Sequence, residues 1–199
     1  MEIKVLNRTA LPIETISLAA GTSYGKENIS RKRVETCINN GHLSVLEHVS
    51  ITWKVSGISR SCSHQLVRHR LASYTEKSLR YTEPDLDGDD WYVIPESFKY
   101  NGPFLNAFKF YMDLIRMMYL EYIKNGAKKE DARFVLPLAT KTDITITMNL
   151  REFVHFYNLR SDKNAQWEIR GLAEAMFDSL YQERDGYDEL LNMIFGIIE

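Results

Sequence analysis

Val49-Ser50-Ile51-Thr52-Trp53-Lys54-Val55 places Ile51, Trp53 and Val55 on one side of the chain and Ser50, Thr52 and Lys54 on the other. That alternation predicts a half-buried β-strand. Within a few residues the pattern changes. From Ser59, or from Ser61 as cap, to about Arg70 the spacing predicts a helix, followed by a Ser/Thr-rich stretch expected to be an irregular loop. Strand feeding into helix, with helices and strands interleaved elsewhere, points to an α+β fold: a central, mostly antiparallel sheet flanked by long helices.

On the N-terminal side, Met1 to Leu6 reads as a short strand. Asn28 or Ser30 caps a helix to about Asn39, which Asn40-Gly41 closes. On the other side, Thr82 to Asp90 carries Pro84, Gly88 and four aspartates, the composition of a turn or flap; its D-x-D-G-D-D run lacks the glutamate that closes a calcium loop. Pro103 to Lys124 is a long helix with Phe104, Phe108, Tyr111, Ile115, Met118 and Tyr122 at three-to-four spacing, a stripe suited to a core or a subunit interface. Lys128 to Leu136 is helical up to Pro137, Asp143 to Met148 alternates as a strand, and Asn149–Leu159 and Ala165–Tyr181 are helices.

With 199 residues, 44% hydrophobic and 26% charged, the chain is long enough for one domain, 1–199, with a full core. A net charge of −2 argues against a general nucleic-acid binder. Cys37 and Cys62 are too few for a disulfide scaffold or a zinc site. No apolar run approaches bilayer length and the N-terminus lacks signal-peptide character, so a cytoplasmic protein with no membrane partner is expected.

Against that mild acidity, Ser59–Tyr81 holds five Lys/Arg residues (Arg60, Arg68, Arg70, Lys77, Arg80) and one acid, Glu76. Guanidinium forks suit phosphates, carboxylates and planar heterocycle edges. On a helix, Gln65 and Arg68 share a face while Arg70 points away, an arrangement for two anions or for one ligand and a neighbouring subunit. Surface salt bridges are the alternative. A second cluster, His42-Leu43-Ser44-Val45-Leu46-Glu47-His48, combines ionisable groups with Ser44 and Glu47 at capping-box spacing. A third joins Arg133 to Asn149, Arg151, His155 and Arg160, with Arg151, His155 and Leu159 on one helical face and Arg160 beside it. No Rossmann fingerprint, P-loop, Ser-His-Asp or Cys-His pattern is present, and no metal-ligand set can be read.

Taken together, these pieces resemble the flavin-dependent thymidylate synthase family. The family signature R-H-R-x-x-S-x-N-x-x-S-x-R-Y is matched at Arg68, His69, Arg70, Ser73, Ser78, Arg80 and Tyr81, with Thr75 where asparagine is usual. The motifs H-x-S-x-x-E-H, A-R-x-V-L-P and N-L-R followed by A-Q-W-E follow the family order, and the similarity spans roughly Ala19 to Asp178. The resemblance implies a methyltransferase that converts dUMP to dTMP, with FAD as cofactor and NADPH and methylenetetrahydrofolate as cosubstrates. It also implies a homotetramer with shared active sites.

Carried over by position, Ser44, Glu47, Arg68, His69, Arg70, Asn149, Arg151 and His155 would contact the flavin. Ser23 would do so too, although Gly21-Thr22 departs from the usual pattern there. Gln65, Glu76, Ser78, Arg80, Tyr81, Arg133 and Arg160 would hold dUMP. Arg160 would stabilise negative charge on the uracil ring. Ser78 is nucleophilic on paper, yet no base lies near it in the motif, and hydrogen bonding is the role expected of it. Thr75 and the Ser23 neighbourhood leave open a relative acting on another pyrimidine, or forming another C5 product, or a silent nucleotide-binding homologue.

Overall fold

The computed structural model describes residues 1–86, 88 and 90–196. Four strands, β1 (Glu2–Arg8), β2 (Ser50–Ser59), β3 (Ala72–Glu76) and β4 (Lys141–Asn149), form one sheet in the order β1-β2-β4-β3. The β2–β4 register is antiparallel: the Thr52 and Thr147 hydroxyls meet at 2.9 Å, and the Asp143 carboxylate accepts the Gly57 N–H at 3.1 Å. The helices are α1 (Pro12–Thr22), α2 (Arg31–Asn39), α3 (Arg60–Leu66), α4 (Glu96–Lys99), α5 (Gly102–Lys124), α6 (Lys129–Ala132), α7 (Leu150–Arg160), α8 (Trp167–Tyr181) and α9 (Tyr187–Phe195). The α+β expectation holds.

The chain divides into two compact units. The first comprises Met1, Ser56–Leu66 and Thr75–Ile144. Its core gathers Leu86, Trp91, Tyr92, Met112, Tyr119 and Ala132, with Phe108, Ile115 and Ile123 packed against them. α5 is capped by Asn101, whose side chain accepts the Phe104 N–H at 3.2 Å. Its aromatic stripe is divided: Phe108 and Ile115 turn inward, while Phe104, Tyr111, Met118 and Tyr122 are exposed.

The second unit comprises Glu2–Val55, Val67–Tyr74 and the chain from Thr145 onward. Ile51, Trp53 and Val55 are fully buried, as the alternation requires. Trp53 lies 5.4 Å from the Phe153 ring and donates its indole N–H to Ser179 at 3.0 Å. α2 is capped by Ser30, and Asn149 caps α7 by accepting the Glu152 N–H at 2.9 Å.

Several sequence expectations are corrected. α3 ends at Leu66 rather than about Arg70, so Arg68 and Arg70 are not helical. The stretch expected to be a loop forms β3, whose alternation of half-buried Ala72, Tyr74 and Glu76 with exposed Ser73 and Thr75 has too few apolar residues to signal a strand. Leu43–His48 is a 3-10 helix without a side-chain cap, so Ser44 and Glu47 form no capping box. α1, α4 and α9 have no counterpart in the expectations. Within D-x-D-G-D-D, Asp87 and Asp89 lie outside the described residues. Among the described residues, no helix is long and apolar enough to cross a membrane.

Candidate functional site

The early end of α3 brings Arg68 and Arg70 together on the short segment leading to β3. Both line a cavity of about 900 Å³ in the second unit. The N-terminal turn of α7 supplies Asn149, Arg151, Glu152 and His155 to the same wall, and the 3-10 helix supplies Leu43 and Glu47. Leu71 and Val154 give it apolar surface. Arg151 donates to the Glu47 carboxylate at 2.5 Å.

Three guanidinium groups and a helix N-terminus against two carboxylates make a donor set suited to a ligand with a diphosphate and a flat, partly apolar body. FAD has that chemistry, and Arg68, Arg70, Asn149, Arg151 and His155, expected from the sequence to contact the flavin, all line this cavity. Ser23, at the C-terminal end of α1, and Ser44 are exposed and do not line this cavity.

His69 sits between the two cavity arginines yet is only 5% exposed. Arg160 Nε donates to its Nε2 at 3.0 Å, and Glu152 Oε1 lies 3.5 Å from its Nδ1. Burial first, then the positive Arg160 and His155, lower its pKa to about 4. The imidazole is therefore neutral at physiological pH, and its approach to Glu152 is not an ion pair. Burial also raises the Glu152 pKa. The side chain assigned to the flavin in sequence is thus directed to Arg160.

The remaining residues assigned to dUMP, namely Gln65, Glu76, Ser78, Arg80, Tyr81 and Arg133, lie in the first unit. Glu76 accepts from Ser63 at 3.0 Å and pairs with Arg60 at 3.3 Å; Arg60 also donates to the Lys77 carbonyl at 2.8 Å. Burial lowers the Arg60 pKa, opposed by Glu76, while Arg133 lowers it further; its Nε is buried without a hydrogen-bond partner. Arg80 Nε reaches Glu130 at 2.7 Å, its guanidinium lies 5.4 Å from the centre of the exposed Tyr81 ring, and Arg133 Nε donates to the Glu130 carbonyl at 3.1 Å.

Arg60, Arg80 and Arg133 with Glu76 and Glu130 therefore form a second cation-rich cluster. The Ser78 hydroxyl accepts the Arg80 N–H at 3.2 Å, a hydrogen-bonding rather than a nucleophilic setting. Gln65 is half-buried on α3. Arg60, Glu130, Glu152 and Tyr74 were not singled out as site residues in sequence. Their partners are 16 to 83 residues distant or lie through backbone atoms, where no local pattern signals them.

The profile of the family described as thymidylate synthase complementing protein matches residues 4–183. A flavin-dependent thymidylate synthase of Pyrococcus furiosus is 41% identical over 197 residues, covering 93% of this chain and 81% of that protein. One from Geobacter sulfurreducens is 41% identical over 187 residues, covering 88% and 80%. Among solved structures, a flavin-dependent thymidylate synthase ThyX from Helicobacter pylori, complexed with FAD and dUMP, superposes with a TM-score of 0.77 at 26% identity, covering 94% of this chain and 97% of the other.

Proposed function

Because this chain belongs to the thymidylate synthase complementing protein family, the flavin-dependent thymidylate synthases, we propose that its arginine-lined cavity and the His69-held Arg160 perform that family's reaction. The protein is an FAD-dependent methyltransferase that converts dUMP to dTMP. Methylenetetrahydrofolate serves as one-carbon donor and NADPH as reductant. The observation that carries the residue assignment is Arg160 held by a buried, neutral histidine inside the R-H-R motif whose two arginines line the cavity.

FAD, once reduced by hydride from NADPH, would supply the hydride that completes the methyl group. Arg68, Arg70 and Arg151 bind its negative charges, and Asn149 and His155 contribute polar contacts. Arg80 and Arg133 neutralise the nucleotide phosphate, with the Ser78 region supplying hydrogen bonds. By the family resemblance Arg160 would meet the uracil edge, where its positive charge would stabilise the negative charge that builds on the ring as C5 becomes nucleophilic. A fixed charge of this kind acts most strongly where water is excluded, and removing one such donor typically lowers kcat about 10²- to 10³-fold. The buried Cys62, fully shielded on α3, takes no part.

The exposed apolar surface of α5, with Phe110, Tyr111, Met117 and Met118, supports assembly into the homotetramer with shared sites. A cytoplasmic location fits a nucleotide-synthesising enzyme that consumes NADPH. The test is Arg160→Ala: the variant is expected to bind FAD and to lose most dTMP formation, and near-normal turnover would remove Arg160 from the mechanism.

A further inference from the structure

Glu152 reaches the cavity wall but is assigned to no ligand above, and it is 5% exposed in the first turn of α7. A carboxylate buried to that degree is costly unless something requires it. Glu152, Phe156 and Arg160 follow one another at four-residue steps and therefore form one stripe along the helix, about 12 Å from end to end. His69 lies across that stripe. Its ring meets Phe156 edge-on at 5.0 Å, its Nε2 accepts from Arg160 Nε at 3.0 Å, and its Nδ1 faces Glu152 Oε1 at 3.5 Å. From β3, the Tyr74 hydroxyl donates to the His69 carbonyl at 2.8 Å, which fixes the backbone beneath the ring. His155 is a further titratable neighbour, with its ring centre 5.9 Å away.

A ring nitrogen that accepts a hydrogen bond carries no proton. The neutral imidazole must therefore hold its single proton on Nδ1, the side facing the carboxylate. With the opposite tautomer, Nε2–H would meet Arg160 Nε–H, donor against donor, and the guanidinium would have to turn away.

We propose that Glu152 is a positioning residue for the reaction: it selects the His69 tautomer whose Nε2 lone pair holds Arg160 in place. The inference rests on the reading that places Arg160 at the uracil edge. It also gives His69 a use other than flavin contact. The ring carries the orientation of α7 to the arginine, while its neighbours Arg68 and Arg70 serve the cavity.

Glu152→Leu tests this on the FAD-loaded enzyme. The expected result, read at saturating FAD so that any change in flavin affinity does not enter, is a kcat lowered about ten- to hundredfold, the range for losing an interaction with a charged group. Glu152→Gln keeps an acceptor toward Nδ1 and is expected to recover kcat to within about threefold of the unsubstituted enzyme. A Glu152→Leu enzyme with undiminished kcat, or a Glu152→Gln enzyme as impaired as Glu152→Leu, would overturn the proposal.

The tautomer can also be read without any variant at position 152. In the unsubstituted protein with isotopically labelled histidine rings, His69, assigned by its loss in His69→Gln, must show a protonated Nδ1 and a bare Nε2 at neutral pH. The reverse pattern overturns the inference even if Glu152→Leu fails to fold. An unsubstituted enzyme that has the predicted tautomer but makes no dTMP would count against the proposed function instead.

Discussion

Lowering the pH from 7 to 5 should destabilise this protein through one identifiable side chain. Folded His69 has a pKa of about 4, depressed by burial and then by Arg160 and His155, whereas in the unfolded chain an imidazole titrates near 6.5. The sign follows from which state takes up the proton. Between those values the unfolded chain binds it and the folded protein does not, so stability is fully present above about 6.5 and is lost as pH falls toward 4. Linkage over the interval from pH 7 to 5 gives a loss of about 2 kcal/mol.

The raised pKa of Glu152 acts in the opposite direction, because the folded protein then binds the carboxyl proton more readily. That effect operates above the ordinary carboxylate value, up to the raised one, and comparison with His69→Gln, which keeps Glu152, separates it from the histidine. Urea unfolding of unsubstituted protein and of His69→Gln, at fixed protein and FAD concentrations, measures it. The unsubstituted protein should lose about 2 kcal/mol more than the variant over this interval. Parallel pH dependences in the two proteins would refute a neutral, buried His69.

In the cavity, Arg151→Ala removes one of three guanidinium groups and leaves Glu47 unpaired, so FAD affinity should fall roughly 10- to 100-fold in a flavin titration. Trp53→Ala removes a fully buried side chain that packs on Phe153 and donates to Ser179; urea unfolding should record a loss of about 3–5 kcal/mol. Met117→Lys charges a side chain that is 66% exposed on α5, and light scattering should find the proposed tetramer weakened while the helix content is kept.

How much of this was readable in sequence depended on whether the signal was local. β2 and β4 were legible because large apolar side chains alternate with polar ones, and α5 because large apolar residues recur at three-to-four spacing. α1 was not. Its buried face includes the small residues Ser17, Ala20 and Gly21, and Leu11 offers no capping side chain. A Cβ at Gly21 would lie 2.3 Å from the Lys26 carbonyl oxygen, so smallness there serves close packing that a hydrophobic pattern does not reveal.

The end of α3 was misplaced because no glycine or proline punctuates Leu66 to Leu71, and the turn is fixed instead by long-range contacts such as that of His69 with Arg160. The site follows the same rule. The ordered motifs marked Arg68, Arg70, Asn149, Arg151 and Arg160. The pairing of Arg151 with Glu47, 104 residues away, and the use of His69 as a holder of Arg160 arise only from the fold. Thr75, the one departure in the R-H-R signature, is exposed on β3, where a hydroxyl replaces an amide without a packing consequence.

The most direct test of the central claim is the mass of the nucleotide formed when the purified protein is incubated with FAD, NADPH, methylenetetrahydrofolate and dUMP, beside a parallel reaction with dCMP. A gain of one methyl group on dUMP alone is the expected result. A hydroxymethyl product, reaction on dCMP, or no product from flavin-loaded protein would contradict it.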